Sequence, residues 1–187
     1  MASVEQRHPE FSFRIEASQY TAITLLQLLD GTLDLGLVAG PLDIKGLSSL
    51  SLGPQRIGVI MRTDHRLAAM PEVPVRELEF ERFIQPPPGP GINIRNSVLE
   101  LCAEAGFRPR QVAEITDTAS FQMLVRAGVG VCGAGESHAV QLPADLVFRP
   151  LIDPAKSVDT LLVWRPDRLT QALRNVLRAA RTLTREA

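Results

Sequence analysis

The sequence predicts an α/β protein, and three observations carry that prediction. Short apolar runs with the period-two alternation of strands take turns with amphipathic helical stretches along the whole chain. The length, 187 residues, suits one domain or two small lobes and buries roughly 70% of the unfolded surface. The composition, 45% hydrophobic and 22% charged, is that of a globular body rather than a disordered tail. Strands separated by helices are joined by crossovers, so mostly parallel sheets are expected.

Taken in order, Phe11 to Ala17 alternate as a strand with one buried face. Thr21 caps a helix whose apolar face is Ile23, Leu25, Leu26, Leu28 and Leu29, and Asp30-Gly31 ends it. Leu33 to Val38 form the next strand, with a turn at Ala39-Gly40-Pro41, completing a strand-helix-strand crossover unit. Leu47 to Leu52 and Arg56 to Met61 are two strands, or one ribbon bent at Gly53-Pro54. Arg82 to Gln85 form a strand that opens into a proline-glycine loop, Pro86 to Gly91. Asn93 or Asn96 caps a helix from Ile94 to Ala105 that stops at Gly106. Val112 to Ile115 make a strand, Asp117-Thr118 a cap, and Ala119 to Ala127 a helix ending at Gly128. Val129 to Ala134 are a strand with a brief helix after it, from Ser137 to Gln141. Leu146 to Arg149 and Thr160 to Trp164 are strands separated by Asp153-Pro154, and Thr170 to Thr182 close the chain as a helix.

Composition narrows the function. Twenty basic against twenty-one acidic residues leave a net charge of −1, with no surplus field for a phosphate backbone. No apolar run is long enough to span a bilayer, and Met1 to Glu10 lack the apolar core of a leader. A cytoplasmic protein without membrane contact is expected. Cys102 and Cys132 stand in unrelated contexts and read as small buried hydrophobes. His8, His65 and His138 are scattered, so no metal site is expected, and Asp64-His65 reads as a turn cap. Gly128, Gly130 and Gly133 satisfy G-x-G-x-x-G, yet a helix precedes them and a strand follows, the reverse of a dinucleotide fingerprint. They read instead as a helix stop and a place of close packing. No cofactor and no catalytic constellation is expected.

Four segments share one property: each lies just past the carboxyl end of a predicted strand. They are Ser18 to Thr21, Ala39 to Pro41, Pro86 to Ile94, and Asp117-Thr118. In open parallel sheets ligands bind at that edge. Three of the four also offer helix N-termini, whose unpaired N–H groups and positive dipole ends suit a carboxylate.

The order of segments resembles the effector-binding region of LysR-type transcriptional regulators. The resemblance rests on Leu28 through Val38, Gly46 through Leu52, Arg62 through Ala68, Ala105 through Pro109, Leu124 through Val131, and Leu162 through Arg165. It implies a fold like a type 2 periplasmic binding protein: two Rossmann-like lobes joined by two crossing strands, with a small-molecule cleft between them. Lobe I would be residues 1–54 and 159–187, and lobe II residues 55–158. The family's effector contacts correspond to Thr21, Ala39, Asn93, Ile94 and Thr118. An organic-acid effector, a homodimer, and DNA contact only through a winged helix-turn-helix absent from these residues are implied as well.

The chain departs from that pattern in lacking the first strand and most of the first helix of lobe I, so either neighbouring strands close up or a second subunit fills the gap. Two other readings share the fold. A solute-binding protein of a transporter would carry a leader, and a dehydratase-like enzyme would need a Thr-Arg-Phe-type signature, whose arginine is missing from Thr116 to Phe121, or a general acid, for which Asp117 is the candidate.

Overall fold

The bend at Gly53-Pro54 does not break the chain into two strands. In the computed structural model, which describes Arg14, residues 21–89 and residues 93–186, a single strand β2 (Ser48–Arg62) runs through it. Gly53 adopts a φ of +111° there, with no atom within 4 Å of where a Cβ would stand. The chain forms two units, Met1–Gly53 with Asp159–Ala187, and Pro54–Val158. It passes from one to the other inside β2 and returns inside β8 (Ser157–Trp164).

In the first unit, helix α1 (Thr21–Asp30) is followed by β1 (Leu35–Ala39), which pairs antiparallel with β8 from Leu35↔Trp164 to Ala39↔Thr160. A ten-residue helix is marginal alone in water. Its buried Leu25 and Leu28, packed with Val38, Leu161 and Val163, contribute about 2 kcal/mol each. Gly36 allows the close approach, since a Cβ on it would fall 2.5 Å from the Thr24 methyl. On a second cluster Leu162 and Trp164 meet Leu173, Leu177 and Ala180 of the closing helix α4 (Gln171–Glu186). Successive β8 side chains therefore serve two different cores, the signature of a strand covered on both faces. The expected strand from Phe11 to Ala17 lies outside the described residues.

In the second unit, β4 (Arg82–Gln85) pairs parallel with β5 (Arg110–Glu114) on one side and with β6 (Val131–Gly135) on the other. β2 runs antiparallel to β6, and on its far side antiparallel to β7 (Leu146–Ile152), which takes the two-residue β3 (Val73–Pro74) in parallel. Helix α2 (Asn93–Glu104) follows β4, and α3 (Thr118–Arg126) follows β5. Ile60, Ile84, Cys132, Ala134 and Phe148 pack with Phe121 and Val125 of α3. On the other face Gly133 lies so close to α2 that a Cβ would come within 2.9 Å of Val98 Cγ2.

Several expectations are corrected. The sheets are mixed, not mostly parallel, because β2 pairs antiparallel with both β6 and β7, and β8 pairs antiparallel with β1. Thr21 and Asn93 are first helical residues rather than caps, and Asn96 lies inside α2. Single 3-10 turns at Arg66–Ala69, Val75–Leu78 and Pro166–Arg168 went unforeseen, being too short to show a period. The glycine stops hold. Gly106 (φ +92°) and Gly128 (φ +73°) end α2 and α3, with Phe107 N donating to Cys102 O and Val129 N to Leu124 O, the hydrogen bonds of a Schellman motif.

No atom lies within 4 Å of a Cβ at Gly106, so Gly106→Ala isolates the conformational cost of left-handed backbone. It is expected to destabilise by about 1 kcal/mol, a fall in Tm of about 3 °C measurable by calorimetry.

Candidate functional site

Parallel pairing decides which residues meet. Because β4, β5 and β6 point the same way, their carboxyl ends, and the segments that follow each, share one edge of the second unit's sheet. Asn93 and Ile94 open α2 there and Thr118 opens α3. Thr21 and Ala39 belong to the first unit, where α1 runs back along β1, so the helix start and the strand end lie at the same end of that pair. Ala39 is buried, at 8% exposure. Residues 90–92 of the proline-glycine loop, and Ser18 to Tyr20, lie outside the described residues.

The two helix N-termini in the second unit differ in charge. Asp117 is the N-cap of α3: Ser120 N donates to its Oδ1 at 2.8 Å and Ser120 Oγ to its Oδ2 at 2.6 Å. The hydroxyl and then the amide hold its carboxyl below the usual carboxylate range. The anion position at α3 is thus already occupied by the chain's own carboxylate. The first turn of α2 contains no acidic residue and carries Arg95, so both its dipole end and its side-chain charge are positive.

Beside α2, the end of β6 builds a small polar cradle that the sequence did not reveal. Gln55, 9% exposed, accepts through Oε1 from Ser137 N at 3.2 Å and from Ser137 Oγ at 2.8 Å. Gly135 is required there, because a Cβ on it would lie 2.3 Å from Gln55 Oε1 and 3.2 Å from Ile94 Cδ1. Ile94, Gln55, Gly135 and Ser137 therefore converge. Arg56 holds the same corner, pairing with Glu136 and with Glu72, each at 2.9 Å. These exposed pairs orient more than they stabilise. A glutamine beside a Gly-Pro bend announces none of this in sequence; its burial was the missing signal.

The remaining candidates resolve into structural roles. His138 donates Nδ1–H to Gly135 O at 3.2 Å and stands edge-on to Phe121, ring centroids 6.4 Å apart. Burial lowers its pKa. His65 caps the turn that starts at Arg66, its Nδ1 accepting from Leu67 N at 3.2 Å. Cys102 and Cys132 are both buried, and burial pushes each thiol up to about 12. Gly130 admits Arg82 O, 2.3 Å from where a Cβ would be. Among the described residues no group of three His, Cys, Asp or Glu could hold a metal ion, and no helix is long and apolar enough to cross a membrane. A surface depression of about 490 Å³ lies on the outer side of α3, lined by Met123, Arg126 and Asp145 among others. It includes none of the strand-end residues.

Two expectations follow. Gly135→Ala should drive the Gln55 amide off Ser137 and destabilise by about 1–3 kcal/mol. In a double-mutant cycle with Gln55→Ala the two effects should be less than additive, and strict additivity would refute the cradle. The neutral native His138 also makes stability pH-dependent. The unfolded chain takes up this proton near about pH 6.5, so stability is full above that value and falls as pH drops toward the lowered native pKa. Tm should decline between about pH 7 and about pH 5, and the decline should be shallower in His138→Gln.

The chain matches the family model described as LysR substrate binding domain over residues 1–185. It is 31% identical over 165 residues to the HTH-type transcriptional regulator ShiR of Corynebacterium glutamicum (strain R), covering 87% of this chain and 55% of that protein. It is 26% identical over 134 residues to the HTH-type transcriptional regulator XapR of Escherichia coli (strain K12), covering 72% and 45%. The chain spans about half the length of the curated relatives it matches. Among solved structures, the CcmR regulatory domain of Synechocystis PCC6803 in complex with 2-PG superposes with a TM-score of 0.78 at 18% identity, covering 98% of this chain and 88% of that one. The BenM effector-binding domain with its effector benzoate gives 0.75 at 19% identity, covering 99% and 84%. These likenesses show the fold.

Proposed function

Since the chain belongs to the LysR substrate-binding domain family, we propose that it is the effector-sensing part of a cytoplasmic transcriptional regulator that recognises a small organic acid. The observation that carries the effector class is the unequal charging of the helix starts: α3 is neutralised by Asp117, whereas the first turn of α2 carries Arg95 and no acidic residue. Charge-assisted hydrogen bonds from main-chain amides suit a carboxylate. Asn93, Ile94 and Thr118 are the contacts in the second unit, and Thr21 and Ala39 those in the first.

BenM's benzoate supports a small acid as the class of ligand. Effector binding biases the regulator's conformational equilibrium by its differential affinity for the two states, and no further. The likeness to HTH-type transcriptional regulators supports a whole protein that acts as a homodimer and contacts DNA through a winged helix-turn-helix rather than through these residues.

An enzymatic reading finds no support in Asp117, which is held as a capping carboxylate with no proton to give. Sensing of an oxidant through a thiolate is equally disfavoured, because both thiols are buried and held protonated.

Asn93→Asp tests the reading directly. A carboxylate on the first residue of α2 favours the helix dipole and competes with an anionic effector. The variant should fold with unchanged or raised Tm, yet bind benzoate, or whichever carboxylate most raises the wild-type Tm, on the order of tenfold more weakly by calorimetry. Unchanged affinity would show that α2 does not receive the anion.

A further inference from the structure

Beyond those strand-end contacts, one buried side chain in the second unit lacks what burial ordinarily requires. Gln85, the last residue of β4, is 2% exposed, and its Nε2 has no hydrogen-bond acceptor. Buried amides are almost always satisfied, and one left unpaired costs stability that needs an explanation. Its position supplies one. Ile84 points into the cluster under α3, so by strand alternation Gln85 lies on the opposite face, the face on which Gly133 and Gly135 meet Val98 and Ile94 of α2. Ile84 pairs with Cys132, which places Gln85 alongside Gly133. On that face β6 presents Val131, Gly133 and Gly135, none with a side chain that can accept from the amide, and the Glu114 carboxylate in register with Gln85 on β5 accepts from Gln111 Nε2 at 3.0 Å instead. Among the described residues the other buried side-chain atom without a partner, Arg95 Nε, is in the first turn of α2. Both orphans are donors.

We infer that Gln85 Nε2 is an effector contact, which together with the first turn of α2 takes an oxyanion, a carboxylate or phosphate oxygen, at the carboxyl edge of β4. This rests on the effector-sensing reading and sharpens it. Two orphaned donors call for an acceptor such as an oxyanion, and a site built to hydrogen-bond a ligand oxygen discriminates strongly against analogues lacking it. Gln85 is therefore a specificity residue, whose unsatisfied donor in the free protein is completed by ligand.

The test uses the 15N-labelled chain titrated separately with benzoate and with inorganic phosphate, each to about 10 mM, a range that captures millimolar affinities. At least one probe is expected to shift the Gln85 side-chain NH2 pair together with the amides that open α2, and the responding probe identifies the oxyanion. Gln85→Met, apolar and similar in size, is expected to raise Tm without ligand, because an unpaired buried amide is removed, and to weaken that probe's binding at least about tenfold. A lowered Tm with affinity retained would make Gln85 a structural residue and overturn the inference. Shifts at Asn93 or Thr118 with the Gln85 NH2 pair unmoved would overturn it while leaving the effector-sensing reading standing. No shift anywhere with either probe would overturn both.

Discussion

Parallel pairing of β4 with both of its neighbours is the constraint on which the rest depends. A parallel pair needs a crossover, and a crossover that returns to the same sheet begins at the carboxyl end of one strand. Three such ends side by side bring α2, α3 and the 3-10 turn at Glu136–Gln141 to one edge. Residues from 55 to 137 are thereby gathered without any of them being selected by sequence proximity. The apolar faces hold the arrangement: Ile84, Cys132 and Ala134 on one side serve α3, and the glycines of β6 admit α2 on the other.

That edge is chemically asymmetric. One helix start is closed by its own aspartate and the next is left positive, with an arginine in the turn where helix dipoles ordinarily favour acids. The polar side chains nearby divide in the same way. Gln55 is satisfied by Ser137 and locks the corner, whereas the Gln85 amide is buried without a partner. A protein selected only for stability would replace such an amide with methionine or leucine, since an unpaired buried donor weakens the fold. Its retention in a dense apolar sheet is the kind of local conflict that marks a site rather than a core.

The contacts proposed for the first unit rest on backbone rather than on side-chain chemistry. Ala39 has no functional side chain, yet it ends β1 where α1 begins, and Gly40 N donates to Asp159 O at 2.7 Å immediately after it. Asp159 also accepts from Ser51 Oγ at 2.9 Å, so the segment leaving β1 is tied to β2 and β8. Backbone groups placed in this way give orientation without side-chain entropy.

Much of this was legible in sequence, and the reason is local. The stops at Gly106 and Gly128 were readable because only glycine adopts the left-handed turn without strain, and the Asp117 cap because a short acid before an apolar period has one helical use. The strand-end segments could be named in advance because crossover chirality and strand direction follow from element order. Tertiary structure alone decided which strands pair antiparallel, that β2 continues through Gly53, and that Gln55 and Gln85 are buried with opposite fates. Local patterns report the preferences of neighbouring residues. Pairing across more than fifty positions, and the satisfaction of a buried amide, depend on partners brought in by the fold.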